Sequence, residues 1–418
     1  MKIAIIGTGI SGLSTAFLLQ PYHEITVYEK NDYLGGHSCT IEIETEGDKI
    51  PVDIGFIVFN KKNYPNLSSM FSYLNIPIAK SSMSFGVSID DGWLEYGTER
   101  LLDIISQPRN LIRPQFIRMI LDIYRFNALA KKYVQKNSEC TIGECIAELN
   151  LGEWFTQYYL LPMSGAIWST PSSRMLEFPA DTLIEFFDNH GLLSISEQPQ
   201  WYTVEGGSRE YVQRLSEPFS HRVQLGKTLK SISRSTGFLT LTEDNGTQDQ
   251  FDQIVLACHS DQALQLIEKP TPEEENILGN IKYQRNRVVL HEDISFMSKR
   301  KGSWSSWMYL GNRQHKDDGP ISLSYWMNNL QPLKTSRPFI VTLNPVREPA
   351  AELIRHDCIF EHPEFNRLAI RSQKKLDEIQ GKNGLWFCGA WAGYGFHEDG
   401  ITSAMSVARE LGAEIPWH

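Results

Sequence analysis

Lys2-Ile3-Ala4-Ile5-Ile6-Gly7-Thr8-Gly9-Ile10-Ser11-Gly12-Leu13 lies at the head of a 418-residue chain. The apolar run Ile3 to Ile6 is too short to cross a bilayer and has the length of a buried parallel strand. Gly7, Gly9 and Gly12 follow in the G-x-G-x-x-G spacing, and Leu13 to Leu19 reads as the helix behind them. The first glycine permits a tight turn, the second lets a pyrophosphate approach the backbone, and the third lets helix and strand pack closely. The helix N-terminus is thereby aimed at phosphates. A second strand, Glu24 to Tyr28, ends at Glu29, about twenty residues on, where a ribose-binding carboxylate belongs. The glycine motif alone would also suit an ordinary turn. Strand, loop, helix, strand and acid in this order predict a dinucleotide site.

Bulk properties narrow the rest. A chain of this length can bury a large core, and two domains with discontinuous segments are expected. With 41% hydrophobic and 22% charged residues the composition is that of a soluble globular protein. A net charge of -10 offers no basic excess to neutralise phosphates, so nucleic acid is not an expected partner. Six scattered cysteines without a C-x-x-C suggest reduced thiols rather than zinc or a disulfide framework. With a strand beginning at Lys2 there is no room for a signal peptide, and no apolar stretch is long enough to span a membrane; a cytoplasmic protein is expected.

Further along, Thr40 to Glu44 and Ile50 to Asp53 read as a hairpin through Gly47-Asp48. From about Tyr64 to Gln200 helical periodicity dominates. Within it, Arg109 to Lys136 carries many basic residues against a single acid, Asp122, and Arg118, Arg125 and Lys132 recur every seven residues. Such a basic amphipathic helix either lies on an anionic membrane, making 109-136 a peripheral membrane contact, or is a domain helix with a solvated face. Gly237 to Thr242 and Phe251 to Ala257 read as strands joined through Asp244-Asn245-Gly246. Strand-like runs recur at Arg287 to His291, Ser306 to Leu310, Ile321 to Met327 and Phe339 to Leu343. The aromatics Trp304, Trp307, Tyr309, Tyr325 and Trp326 are either core or an apolar pocket, in which Asn328 and Asn329 would orient a polar group.

Three further stretches carry a family resemblance. They are Lys30-Asn31-Asp32-Tyr33-Leu34-Gly35-Gly36-His37, Val204-Glu205-Gly206-Gly207-Ser208, and the run from Leu385-Trp386-Phe387-Cys388-Gly389-Ala390 to Asp399-Gly400-Ile401. With the opening motif they resemble the flavin-containing amine oxidase superfamily, which also holds phytoene desaturase-like and protoporphyrinogen oxidase-like proteins. Trp304 to Tyr309, Tyr325 to Gln331 and Gly393 to Gly400 are similar to a bacterial NAD/FAD-binding subfamily found alongside cyclopropane-fatty-acyl synthase-like methyltransferases.

The resemblance implies an α/β fold: a Rossmann-like, glutathione-reductase-like FAD-binding domain over 1-63, 201-268 and 350-418, with a discontinuous α+β substrate domain over 64-200 and 269-349. It implies FAD contacts from Gly7, Gly9, Ile10, Ser11, Gly12, Glu29, Lys30, Gly35, Gly36 and His37, the last standing where the family usually has arginine. Gly55 and Phe56 would pass the flavin ring, the alternative being a buried strand with a glycine bulge. Val223 would offer its backbone to the adenine. Gly389 and Ala390 would approach the pyrophosphate, and a helix starting near Gly400-Ile401 would face the flavin pyrimidine. With no cysteine from Ala390 to Asp399, the FAD is expected to be non-covalent.

The implied activity is oxidation of an apolar small-molecule substrate, for instance a lipid or fatty-acyl chain, by hydride transfer to flavin. Alternatives are amine oxidation, a non-redox isomerase or mutase, and a flavin-binding scaffold for a lipid methyltransferase partner. Pocket candidates are His397, as base or plain loop histidine, with Tyr325, Asn328, Trp391 and Tyr394.

Overall fold

The computed structural model describes residues 1–45, 47–137, 140–168, 175–193, 199–313 and 322–417. At its centre is a five-stranded parallel sheet in the order Val223–Gln224, Glu24–Tyr28, Lys2–Ile6, Gln253–Leu256, Leu385–Phe387. The opening strand pairs with both neighbours in register, Ile5 opposite Val27 on one side and Val255 on the other. Period-two geometry then splits its apolar run between two cores. Ile3 and Ile5 face the helices Ile10–Leu19 and His397–Glu410, with Leu13, Leu19 and Ile401. Ala4 and Ile6 face an antiparallel meander, with Leu239, Leu241 and Phe251. A parallel sheet must be covered on both faces, which is why the run reads as continuously apolar.

The meander comprises Leu229–Ser235, Phe238–Glu243 and Gln248–Phe251. The expected strand from Phe251 to Ala257 is divided at Asp252. Its amide donates to the Lys2 carbonyl and its carboxylate accepts from the Lys2 amide, so Gln253–Leu256 turns into the parallel sheet.

A second, seven-stranded sheet runs Ile354–Glu364, Lys282–His291, Ile340–Leu343, Leu323–Trp326, Trp307–Gly311, Phe85–Ile89, Leu94–Gly97. It is antiparallel except where Trp307–Gly311 lies parallel to Phe85–Ile89. The expected strand from Ile321 begins at Leu323; residue 321 lies outside the described residues.

Three members were not legible as strands. Phe85–Ile89 and Leu94–Gly97 fall inside the stretch expected to be helical, whose residues 138–139, 169–174 and 194–198 are outside the described set. These strands are buried at every position, so they lack alternation. Ile354–Glu364, in the segment expected to belong to the cofactor domain, is a polar edge strand with Pro363 near its end.

Helices cover this sheet, chief among them Pro114–Lys136 and Ala180–Asn189. All six cysteines are free.

Candidate functional site

The loop between the opening strand and its helix shows what each glycine does. Gly7 has φ +100°, and a Cβ on it would press against the Ala257 carbonyl. A Cβ on Gly12 would overlap the Gly7 carbonyl oxygen. One on Gly9 would meet nothing within 4 Å, although Gly9 is the N-cap of the helix and carries no side-chain cap. Open space thus faces a helix end whose first N–H groups need acceptors.

Glu29 ends the next strand and is 6% exposed. It accepts from the Thr8 amide at 3.0 Å, the Thr8 hydroxyl at 2.5 Å and the Asn31 amide at 2.9 Å. Val223 lies in register with Val27 on the adjoining strand, and the Glu29 amide donates to the Gln224 carbonyl at 2.9 Å. Gly35 and Gly36 both have positive φ, and a Cβ on Gly36 would stand 3.2 Å from Gly9 Cα. The chain therefore returns directly over the helix N-terminus. Lys30 is exposed.

Next to Gly36 four imidazoles converge. His37 packs 4.7 Å from Phe360, 5.3 Å from His362 and 6.4 Å from His259, and His259 stacks on Tyr283 at 4.2 Å. The fourth, His397, stacks on Phe56 at 3.8 Å. Burial pushes His37 down to about 4 and His259, His362 and His397 to about 3, the latter three helped by the repulsion of neighbouring rings. His259 stands 3.6 Å from a Glu361 carboxylate oxygen, but burial, His37 and Lys30 outweigh that attraction. His37 Nε2 and His259 Nδ1 are buried without hydrogen-bond partners among the described residues. These rings lie deep among surrounding atoms yet keep some accessible surface, the mark of side chains that line a cleft. On one side are the loops of the parallel sheet, on the other Tyr283 of Lys282–His291 and Phe360 and His362 of Ile354–Glu364.

His397 Nε2 lies 2.9 Å from Ser38 Oγ and 3.0 Å from Tyr211 OH, and those two hydroxyls also bond each other. Ser38 and Tyr211 were not expected at the site; their only signal was adjacency to the glycine pairs 35-36 and 206-207. Burial raises the Tyr211 phenol above its usual range, so it stays protonated.

Other expected residues have different work. Gly55 is close-packed backbone, since a Cβ would overlap the His37 carbonyl oxygen; residues around it form no continuous strand, only Phe59–Asn60. The last helix begins at His397, three residues earlier than expected, with the Asp399 carboxylate accepting from the Phe396 amide at 2.9 Å. The Gly400 amide is bonded to the Phe396 carbonyl, and Gly400 lacks a side chain because Ile10 and Ser11 pack against it. Free amides at this helix end are therefore those of the first turn, ahead of Gly400 and Ile401.

Gly389 makes room for the Trp391 indole and donates to Ser403 Oγ at 3.0 Å, with Ala390 opening the turn that follows. Trp391 is 2% exposed and donates to the Cys258 carbonyl, so it is core rather than a pocket residue. Tyr394 is 36% exposed. Asn328 is engaged on both sides of its amide, donating to the Arg337 carbonyl and accepting from the Phe339 amide, both at 2.8 Å. Tyr325 sits edge-to-face on Trp307 at 5.1 Å.

Asp53 ties the site together. Its carboxylate accepts from the Thr40 hydroxyl, the Ser208 amide and hydroxyl and the Gln331 amide, and burial raises it to about 6. Asp53→Ala would leave those donors buried and unpaired. A loss of about 3–5 kcal/mol in stability is expected, read as a lower urea midpoint at unchanged slope.

An open cradle at Gly9, a ribose-type carboxylate and orphaned imidazole nitrogens fit a dinucleotide whose pyrophosphate lies at the helix end. Residues 10–293 match the family model described as flavin containing amine oxidoreductase. Among solved structures, the CLA-producing fatty acid isomerase from P. acnes shares 13% identity at TM-score 0.67, with 98% of each chain covered. Cyclohexylamine oxidase from Brevibacterium oxydans IH-35A shares 14% at 0.67, with 98% of this chain and 99% of that one covered. Reduced UDP-galactopyranose mutase shares 14% at 0.65, with 98% and 95% covered. These likenesses show a common fold. No curated protein matches the chain.

Proposed function

From the premise that this chain belongs to the flavin-containing amine oxidoreductase family and is an FAD-binding oxidoreductase, we propose that it takes a hydride from an apolar substrate of lipid or fatty-acyl kind. Bound FAD supplies the hydride acceptor. It is held without a covalent link: residues 389–400 contain no cysteine, and Cys388 is buried beside Thr15.

One observation carries the substrate class: the cleft beside Phe56 is lined by groups held neutral. His397, far below its ordinary pKa, carries no charge near pH 7, and the Ser38 and Tyr211 hydroxyls are neutral too. A cationic amine would find no fixed counter-charge among these groups, whereas an apolar chain loses nothing by entering.

The same depression makes His397 a poor base. The chain's contribution there is to hold a neutral imidazole at a fixed angle, with Phe56 stacked on the ring and the Ser38 and Tyr211 hydroxyls bonded to Nε2. His397→Ala is expected to retain FAD, seen in its visible spectrum, and to slow anaerobic flavin reduction by an acyl substrate about 100-fold. Unchanged reduction would remove His397 from the reaction. A double-bond shift without loss of flavin colour would favour the isomerase reading. Bleaching by amines but not by acyl lipids would overturn the apolar one.

A further inference from the structure

We propose that the outer face of the helix Pro114–Lys136, with the turn before it, docks this protein on an anionic phospholipid bilayer. The surface stands on its own residues and does not rest on the proposed substrate.

The helix already has the apolar stripe a globular domain needs. Phe116, Met119, Phe126, Ala130 and Val134 are buried in the core. A second apolar row points outward: Ile117 is 46% exposed, Leu121 62% and Tyr124 53%. At 100° per residue these three fall within about 60° of one another. The preceding turn adds Leu111 at 50% and Ile112 at 83%. So many large apolar side chains together on a free face mark a contact surface.

Charge selects what it contacts. Residues 109–136 hold seven basic residues and one acid, a local excess of +6 in a chain whose net charge is -10. The acid, Asp122, is on the inner side, where it accepts from the Gly152 amide and lies 3.6 Å from Arg118. Lys131 is paired with Asp188. Arg125, Lys132 and Lys136 form no ion pair among the described residues. Arg118, Arg125 and Lys132 flank the apolar row on one side. An apolar ridge edged by unneutralised cations matches the acyl boundary and the phosphates above it. A protein interface would deplete lysine at such a place, and a nucleic acid would have no use for the ridge. The negative remainder of the molecule is repelled by the same lipids, so attachment is oriented through this face.

The test is flotation of the full-length, FAD-loaded protein with phosphatidylcholine vesicles, with and without added phosphatidylglycerol. Flotation is expected only with the anionic lipid and is lost at high salt. Arg125→Glu with Lys132→Glu is expected to weaken partitioning at least about tenfold, and Ile117→Ser with Leu121→Ser to do likewise. Both pairs are solvent-exposed, so the flavin spectrum and melting temperature should stay those of the parent. Equal flotation on neutral vesicles, none on either, or unchanged binding by correctly folded variants overturns the proposal. So does a parent dimer that these substitutions dissolve, because self-association would then explain the row.

Discussion

Gly9→Ala is expected to yield a folded protein that purifies without FAD, and Gly12→Ala one that does not fold. The two positions are three residues apart in one motif but face opposite ways. Gly12 is buried under the Gly7 carbonyl, and a methyl there would overlap backbone that cannot yield without breaking the strand-to-helix turn. A clash of that kind costs about 4 kcal/mol or more. Gly9 has φ -64° and ψ -179°, a conformation open to any residue, and its added methyl touches no atom of the chain. The methyl would instead fill the space in front of the helix N–H groups. Losing that approach should weaken FAD binding about 100-fold, roughly 2.8 kcal/mol. Visible flavin absorbance and thermal melts of both variants separate the cases. A Gly9→Ala protein with full flavin content would mean that no phosphate comes close there.

Acidification should unfold the FAD-stripped protein steeply between pH 6.5 and about 4. Six histidines lie well below their ordinary pKa of 6.5 because burial disfavours the charged ring. His37, His190 and His291 are at about 4, and His259, His362 and His397 at about 3. The sign follows directly. In that window the unfolded chain takes up protons that the folded one refuses, so stability is full above pH 6.5 and falls as pH drops. Each such ring contributes about 1.4 kcal/mol per pH unit. Asp53 and Asp399 work the other way, since burial raises both to about 6 and they gain protons first in the folded state. Six rings against two carboxyls leave about four protons, on the order of 5 kcal/mol per pH unit. Urea midpoints should stay level from pH 7.5 to 6.5 and fall from there to pH 5. A flat profile would mean that these rings are solvated.

The order of elements at the head of the chain, and the acid at Glu29, were readable because each follows from local rules. A short apolar run makes a buried strand, glycine spacing makes a phosphate-sized turn, and a carboxylate ends the next strand. The same holds for the basic helix, whose apolar and charged periodicities are both visible in one dimension. The seven-stranded sheet was readable only in part. Four of its strands have apolar runs, but Phe85–Ile89 and Leu94–Gly97 are wholly buried, and Ile354–Glu364 is a polar edge.

The imidazole end of the candidate site belongs to tertiary structure alone. Trp391 and Tyr394 read in sequence as pocket candidates because they are aromatic and near Gly389. Folding buries one ring under the sheet and sends the other outward. Phe56, Ser38, Tyr211 and His397 come from four distant stretches and share no spacing; they meet because the hairpin, the glycine loop and the last helix converge on one cleft. Sequence by itself determined the glycine turn at the first helix N-terminus, whose parts are neighbours along the chain and governed by backbone sterics. Which imidazole stays neutral, and what holds it, was decided by burial and by contacts more than 150 residues apart, such as the 186 between Tyr211 and His397. Desolvation depends on what surrounds a group in space, and no local pattern records it.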